Sequence, residues 1–204
     1  MMRIIRPMVL AAAAVLLASC ATTATDGYAV YDTVDEPKAL GMRVQVSYPA
    51  DWTMEEDQAR STIIRTFRHE ADGYNTHLLL QAMALGEDAG ILFGDEAGFD
   101  NSPRRAKWIH VLGSVSGTQV GGLKALTHAG RPAVMVDLKV NRTGAQSETY
   151  LASRMLMVQD KGNMLILTCG VSASASEQEK VDSLQRIHED GLCCHYFDSL
   201  KFME

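Results

Sequence analysis

Three β-rich segments in the second half, residues 133–141, 148–159 and 164–171, constrain this chain more than any other feature. The connections "RTGAQS" and "DKGN" are short and carry glycine where a positive φ is easiest, so antiparallel neighbours are the economical arrangement. Earlier in the chain, Val44, Val46 and Tyr48 alternate with Arg43, Gln45 and Ser47, the period of a half-buried strand, and Pro49 ends it. Two further strands are expected over 62–69 and 76–85, on either side of "EADGYN", where Asp72 and Gly73 signal a turn. One helix is expected in "SASEQEKVDSLQRIHEDG": Ser174 or Ser176 can cap it, with Glu177 or Glu179 three residues on. Val181, Leu184 and Ile187 fall on one face, and Gly191 suits its end. A second helix is expected from Ser102 and Pro103 to about Leu112, although the alternation around Trp108 also permits a strand. Antiparallel strands with a few packed helices make an α+β domain.

The amino terminus points to a compartment. Arg3 and Arg6 precede eleven uninterrupted apolar residues, Met8 to Ala18, in the order of a signal peptide. A helical membrane span needs roughly 20 apolar residues, so a retained anchor is the weaker reading. Leu17, Ala18, Ser19 and Cys20 resemble the lipobox of bacterial lipoproteins position by position. That resemblance implies diacylglycerol on the Cys20 thiol, cleavage before it, and acylation of the new amino terminus. More than one acyl chain makes such anchoring stable. Ala21 stands where enterobacterial lipoproteins retained in the inner membrane carry Asp, which implies the periplasmic face of the outer membrane. The expected organisation is a signal peptide over 1–19, a flexible tether over 20–38 carrying lipidated Cys20, and a single domain over 39–204.

Charge excludes one class of partner. Losing Arg3 and Arg6 leaves 17 basic against 25 acidic residues, a formal charge of −8, which argues against nucleic acid. Cysteine usage is more informative. With Cys20 acylated, Cys169, Cys193 and Cys194 remain in a disulfide-permissive compartment, and an odd count leaves one thiol over. Neighbouring cysteines rarely bond each other, so the expected bridge joins Cys169 to Cys193 or to Cys194.

The order of these segments resembles the PsbP-like fold of photosystem extrinsic subunits and bacterial DcrB-type lipoproteins. The residues that carry the resemblance are "VQVSYPADW", "FRHE", "GRPAVMVDLKV", "MLILTCGVSAS" and "FDSLKF", between Met42 and Met203. Members of that family act mainly as accessory or partner-binding proteins, so the resemblance implies a non-enzymatic module with no cofactor and an envelope protein as partner. None of these motifs is an active site. Pro49 and Trp52 read as turn and packing residues.

The rival reading is a metal or thiol site. His188, Cys193, Cys194 and His195 in "HEDGLCCHYF" combine donors that suit Zn²⁺ or Cu(I). Their spacing is neither C-x-x-C nor a two-pair zinc pattern, and adjacent side chains diverge. Enzyme motifs fail one by one. "GSVSG" has Val115 where a nucleophile elbow needs serine, and "HEADG" and "HEDGL" lack the second zinc-binding histidine. The basic group Arg104, Arg105 and Lys107 beside Trp108 reads as a solvated helix face before it reads as an anion site.

Overall fold

The computed structural model describes residues 27–204 except 58, 61, 87–91, 94–97 and 144–147. Cys20 and the expected signal peptide lie outside the described residues. Two antiparallel sheets form the framework. The smaller, in the order β1-β2-β10, contains β1 (Tyr28–Asp32), β2 (Val44–Pro49) and β10 (Lys201–Phe202). The larger has the order β3-β4-β5-β9-β8-β7-β6. Its strands are β3 (Thr53–Glu55), β4 (Ile63–Ala71), β5 (Tyr74–Ala84), β6 (Thr118–His128), β7 (Arg131–Thr143), β8 (Glu148–Asp160) and β9 (Asn163–Ser174). The expected α+β class is the one observed.

Local turn chemistry sets the hairpins. Asp72-Gly73, Ala129-Gly130 and Lys161-Gly162 all take positive φ at both residues, and each pair joins strands whose flanking residues face each other directly. Such two-residue loops match the right-handed twist of their strands. The long step is from β5 to β6. The chain leaves β5, forms helix α1 (Pro103–Gly113), enters β6 at the far edge, and returns through β7 and β8 until β9 pairs with β5.

Period-2 alternation gives the large sheet two different faces. The first carries Phe67, Leu78, Leu80, Leu156, Leu165 and Leu167, all closed from solvent by the small sheet and the carboxy-terminal helices. Val44, Val46, Tyr196 and Phe197 supply the covering side. Helix α2 (Gln178–His188) lies on the same face, with Val181 against Tyr150, Ala152 and Val171. Among the described residues the second face is covered at one end only. There Trp108 of α1, 2% exposed, packs on Val136, Met157 and Ile166 and donates from Nε1 to the Leu92 carbonyl at 2.9 Å. Ser102 caps α1 by accepting from the Arg105 amide, which settles the ambiguity around Trp108 for helix.

Several expectations need correction. The tether does not extend to residue 38: residues 28–32 pair with β2, and the Thr33 hydroxyl accepts from the Val44 amide at 2.9 Å. Every residue of β1 is half-buried, so its sequence offers no alternation to read. Strand β6 was also missed, because the register shifts between Gly121 and Lys124 and interrupts the two-residue period. Gly122 there takes a φ of +55°, and a Cβ would run into the Asp137 carboxylate. Neither serine caps α2. Ser174 and Ser176 hydrogen-bond each other, and Glu177 precedes the helix with its carboxylate on Tyr74 and Lys180. Nor does Gly191 end the helical path, which continues through a π turn (Glu189–Cys193) into α3 (Cys194–Asp198). Buried Cys193, Tyr196 and Phe197 prolong the apolar stripe past the glycine.

Candidate functional site

The structure separates the residues of the rival metal or thiol reading. Cys169 on β9 and Cys193 on the π turn have Cα atoms 5.5 Å apart and sulfurs at bonding distance, 2.09 Å. Cys194 is exposed, and its Sγ donates to the Glu189 carbonyl at 2.9 Å. His195 stacks on Tyr28 with ring centroids 3.7 Å apart. Burial pushes the His188 pKa down, which favours its neutral form. Successive helical positions point about 100° apart, so Cys193, Cys194 and His195 diverge. Among the described residues no group of three or more His, Cys, Asp or Glu side chains converges as a metal site.

Trp108 and Arg105 of the expected basic group lie in different surroundings. The indole is buried under α1, while Arg105, half-buried, sits 3.8 Å from Asp100. Trp52 packs beside the first-face core and stacks on His69 at 5.8 Å. On the same face, Arg154 of β8 holds Asp137 through two hydrogen bonds of 2.6 and 3.1 Å and Glu189 through a third of 3.0 Å. This network ties the π turn to the sheet. Burial raises the Glu189 pKa, against the opposing pull of Arg154.

Sequence reasoning did not find one concave surface built on the large sheet. It lies on the second face, at the end that α1 leaves uncovered, with a volume of about 290 Å³. Its floor comes from alternate residues of adjacent strands: Leu79, His77 and Asn75 on β5, Ser172 on β9, and Leu151 and Thr149 on β8. Arg68 of β4 stands directly across from His77 and, with Arg60 and Asp57 of the preceding loop, forms one wall. Arg142, at the end of β7 and paired with Thr149, forms the other.

Glycine makes room for this floor. At Gly170 a Cβ would stand 2.9 Å from the Ser153 Cβ and 3.0 Å from His77 Nε2, closer than side chains tolerate. The imidazole can therefore lie low between β5 and β9. Burial first, and the Arg68 charge second, push the His77 pKa down to about 4. The ring is neutral at pH 7, so the positive charge at the site belongs to the arginines. Arg68 has Glu55 at 3.4 Å and Arg60 has Asp57 at 3.8 Å, both looser than direct hydrogen bonds. Among the described residues Arg142 makes no ion pair. The missed signal is an arginine at the solvent-facing phase of two strands, which looks the same in sequence as an ordinary surface position.

No family model matches the chain, and no curated protein matches it. The solved structures similar in chain path include the following three. The solution structure of cyanobacterial PsbP (CyanoP) from Synechocystis sp. PCC 6803 is 15% identical, with 92% of this chain and 99% of that chain covered at a TM-score of 0.48. The crystal structure of LpqN, involved in cell envelope biogenesis of Mycobacterium tuberculosis, is 14% identical, with 87% and 92% covered and a TM-score of 0.45. A protein of unknown function from Pseudomonas aeruginosa, PA94, described as a putative regulator, is 14% identical, with 74% and 94% covered and a TM-score of 0.38. Likenesses of this order carry no function across.

Proposed function

We propose that this protein is a lipid-anchored, non-enzymatic binding module of the bacterial cell envelope, held on the periplasmic face of the outer membrane through Cys20. The order of charge, apolar run and Leu17-Ala18-Ser19-Cys20 supports the anchor. Only residues 21–27 separate Cys20 from β1, and seven residues reach at most about 25 Å when fully extended. The domain would therefore work close to its membrane. Confinement to so thin a layer raises effective concentration, so a weak interaction with an envelope protein can still be populated.

The observation that carries the binding role is the end of the second sheet face that no described residue covers. A sheet face in a folded domain is ordinarily covered or plainly solvated. Here it holds a concavity with polar and apolar floor residues between arginine walls. Crosslinking in intact cells, followed by mass spectrometry, tests the reading by comparing wild type with Cys20→Ser carrying a secretory cleavage site. A specific envelope partner recovered with the anchored form is the expected result. Recovery of the anchored protein alone, under conditions that capture other lipoproteins with their partners, overturns it.

A further inference from the structure

We infer that the concavity between Arg68 and Arg142 is a binding site for a small organic dianion, a short carbon body with an acidic group at each end. The inference deepens the binding role proposed above by giving its pocket a ligand chemistry, and it can fail while that role stands.

The positive charge comes from two distant stretches of chain. Arg60 lies in the loop before β4, Arg68 on β4 and Arg142 at the end of β7, yet all three line one hollow in a protein whose overall charge is −6. Composition does not force such a convergence. Two of the arginines have only loose acidic neighbours, and Arg142 has none among the described residues. Guanidinium groups in this state suit carboxylate or phosphate oxygens, which they bind through paired N–H donors.

The layout of the walls argues for two acidic groups. Arg68 and Arg142 sit on strands separated by β5, β9 and β8, and four inter-strand steps amount to about 19 Å of backbone. Both side chains line the same hollow, one from each wall. A ligand with an acidic group at each end matches two walls better than a compact inorganic anion does. Leu79, Leu151 and Ile63 give the space between the walls an apolar component, while Thr149 and Ser172 add hydroxyls. A carbon chain can lie there with less loss of hydration than a second charge would suffer. The neutral state of His77 fits this division, since the floor adds no charge of its own.

Calorimetric titration of the full mature chain, prepared with Cys20→Ser so that it needs no detergent, tests the inference. The probes are succinate, adipate and suberate, with hexanoate as the single-charge control and inorganic phosphate as the compact one. Expected is binding that peaks at one dicarboxylate length and exceeds hexanoate and phosphate at least tenfold. Arg142→Ala and Arg68→Ala should each remove at least tenfold, and both should unfold at the wild-type temperature because neither side chain is in the core. Equal affinity for hexanoate, or affinity unchanged in both variants, overturns the inference, as does no binding of any probe. Tighter binding to phosphatidylglycerol vesicles than to every dicarboxylate also overturns it, in favour of a membrane surface. Crosslinking to an envelope partner would survive each of these failures, so the two readings are tested apart.

Discussion

At the scale of single residues, His77 shows how a neighbour without a side chain can determine the chemistry of another. Gly170 leaves the space into which the imidazole settles, and burial there brings its pKa to about 4. An unfolded histidine titrates near 6.5. Between those values the unfolded chain binds more protons than the folded one, so stability rises with pH across the window. The contribution is complete above pH 6.5 and is lost as pH falls towards 4, at a cost on the order of 1–3 kcal/mol. Denaturant unfolding at pH 4.5 and pH 7 should show this loss in wild type. His77→Gln should flatten it, and a slope unchanged in that variant would show that the acid sensitivity lies elsewhere.

At the scale of elements, α1 and α2 begin in different ways. Ser102 accepts from the Arg105 amide and donates to the Phe99 carbonyl, joining the short 3₁₀ turn before α1 to the helix itself. Ser102→Ala should cost about 1 kcal/mol, the ordinary worth of such a cap. Chemical denaturation would measure it. Ser174→Ala and Ser176→Ala should cost far less, because these hydroxyls meet each other and neither holds an α2 amide. The spacing of serine and glutamate was legible before α2, but Glu177 was drawn to Tyr74 and Lys180. Tyr74 is 103 residues away in sequence, and no local pattern reveals a competitor so remote. The hairpin at Lys161-Gly162 is the contrary case, since its turn chemistry is complete within four residues.

At the scale of the whole molecule, the first face of the large sheet is closed by segments from both ends of the chain. Strand β2 pairs with β1 on one edge and with β10 on the other. Ser199 also accepts from the Ser47 amide at 2.8 Å. A chain beginning at Ala39, where the domain was expected to start, would lose the five register pairs of β1 and the Thr33 bonds. It would also remove Tyr31 from beside Phe67. Such a chain should melt several degrees below one beginning at Gly27, because even about 1 kcal/mol moves the midpoint of a domain this size by 2–4 °C. Equal melting temperatures would place β1 outside the cooperative unit.

What the sequence determined by itself was whatever its physics confines to a few neighbouring residues. Alternation placed β2, runs of β-branched and aliphatic residues placed β4, β5 and the meander, the glycine turns fixed the hairpins at Asp72-Gly73 and Lys161-Gly162, and Ser102-Pro103 marked the start of α1. The candidate anchor at Cys20 is likewise written in adjacent positions. Tertiary structure alone decided the pairing of β9 with β5, the recruitment of β1, and the meeting of Arg60, Arg68 and Arg142 over a half-covered sheet. The physical reason is one of range. Turn and period energies act over a few residues, whereas a shared face arises only when distant strands lie side by side, and an arginine facing water has the same local sequence signature whether or not others face it.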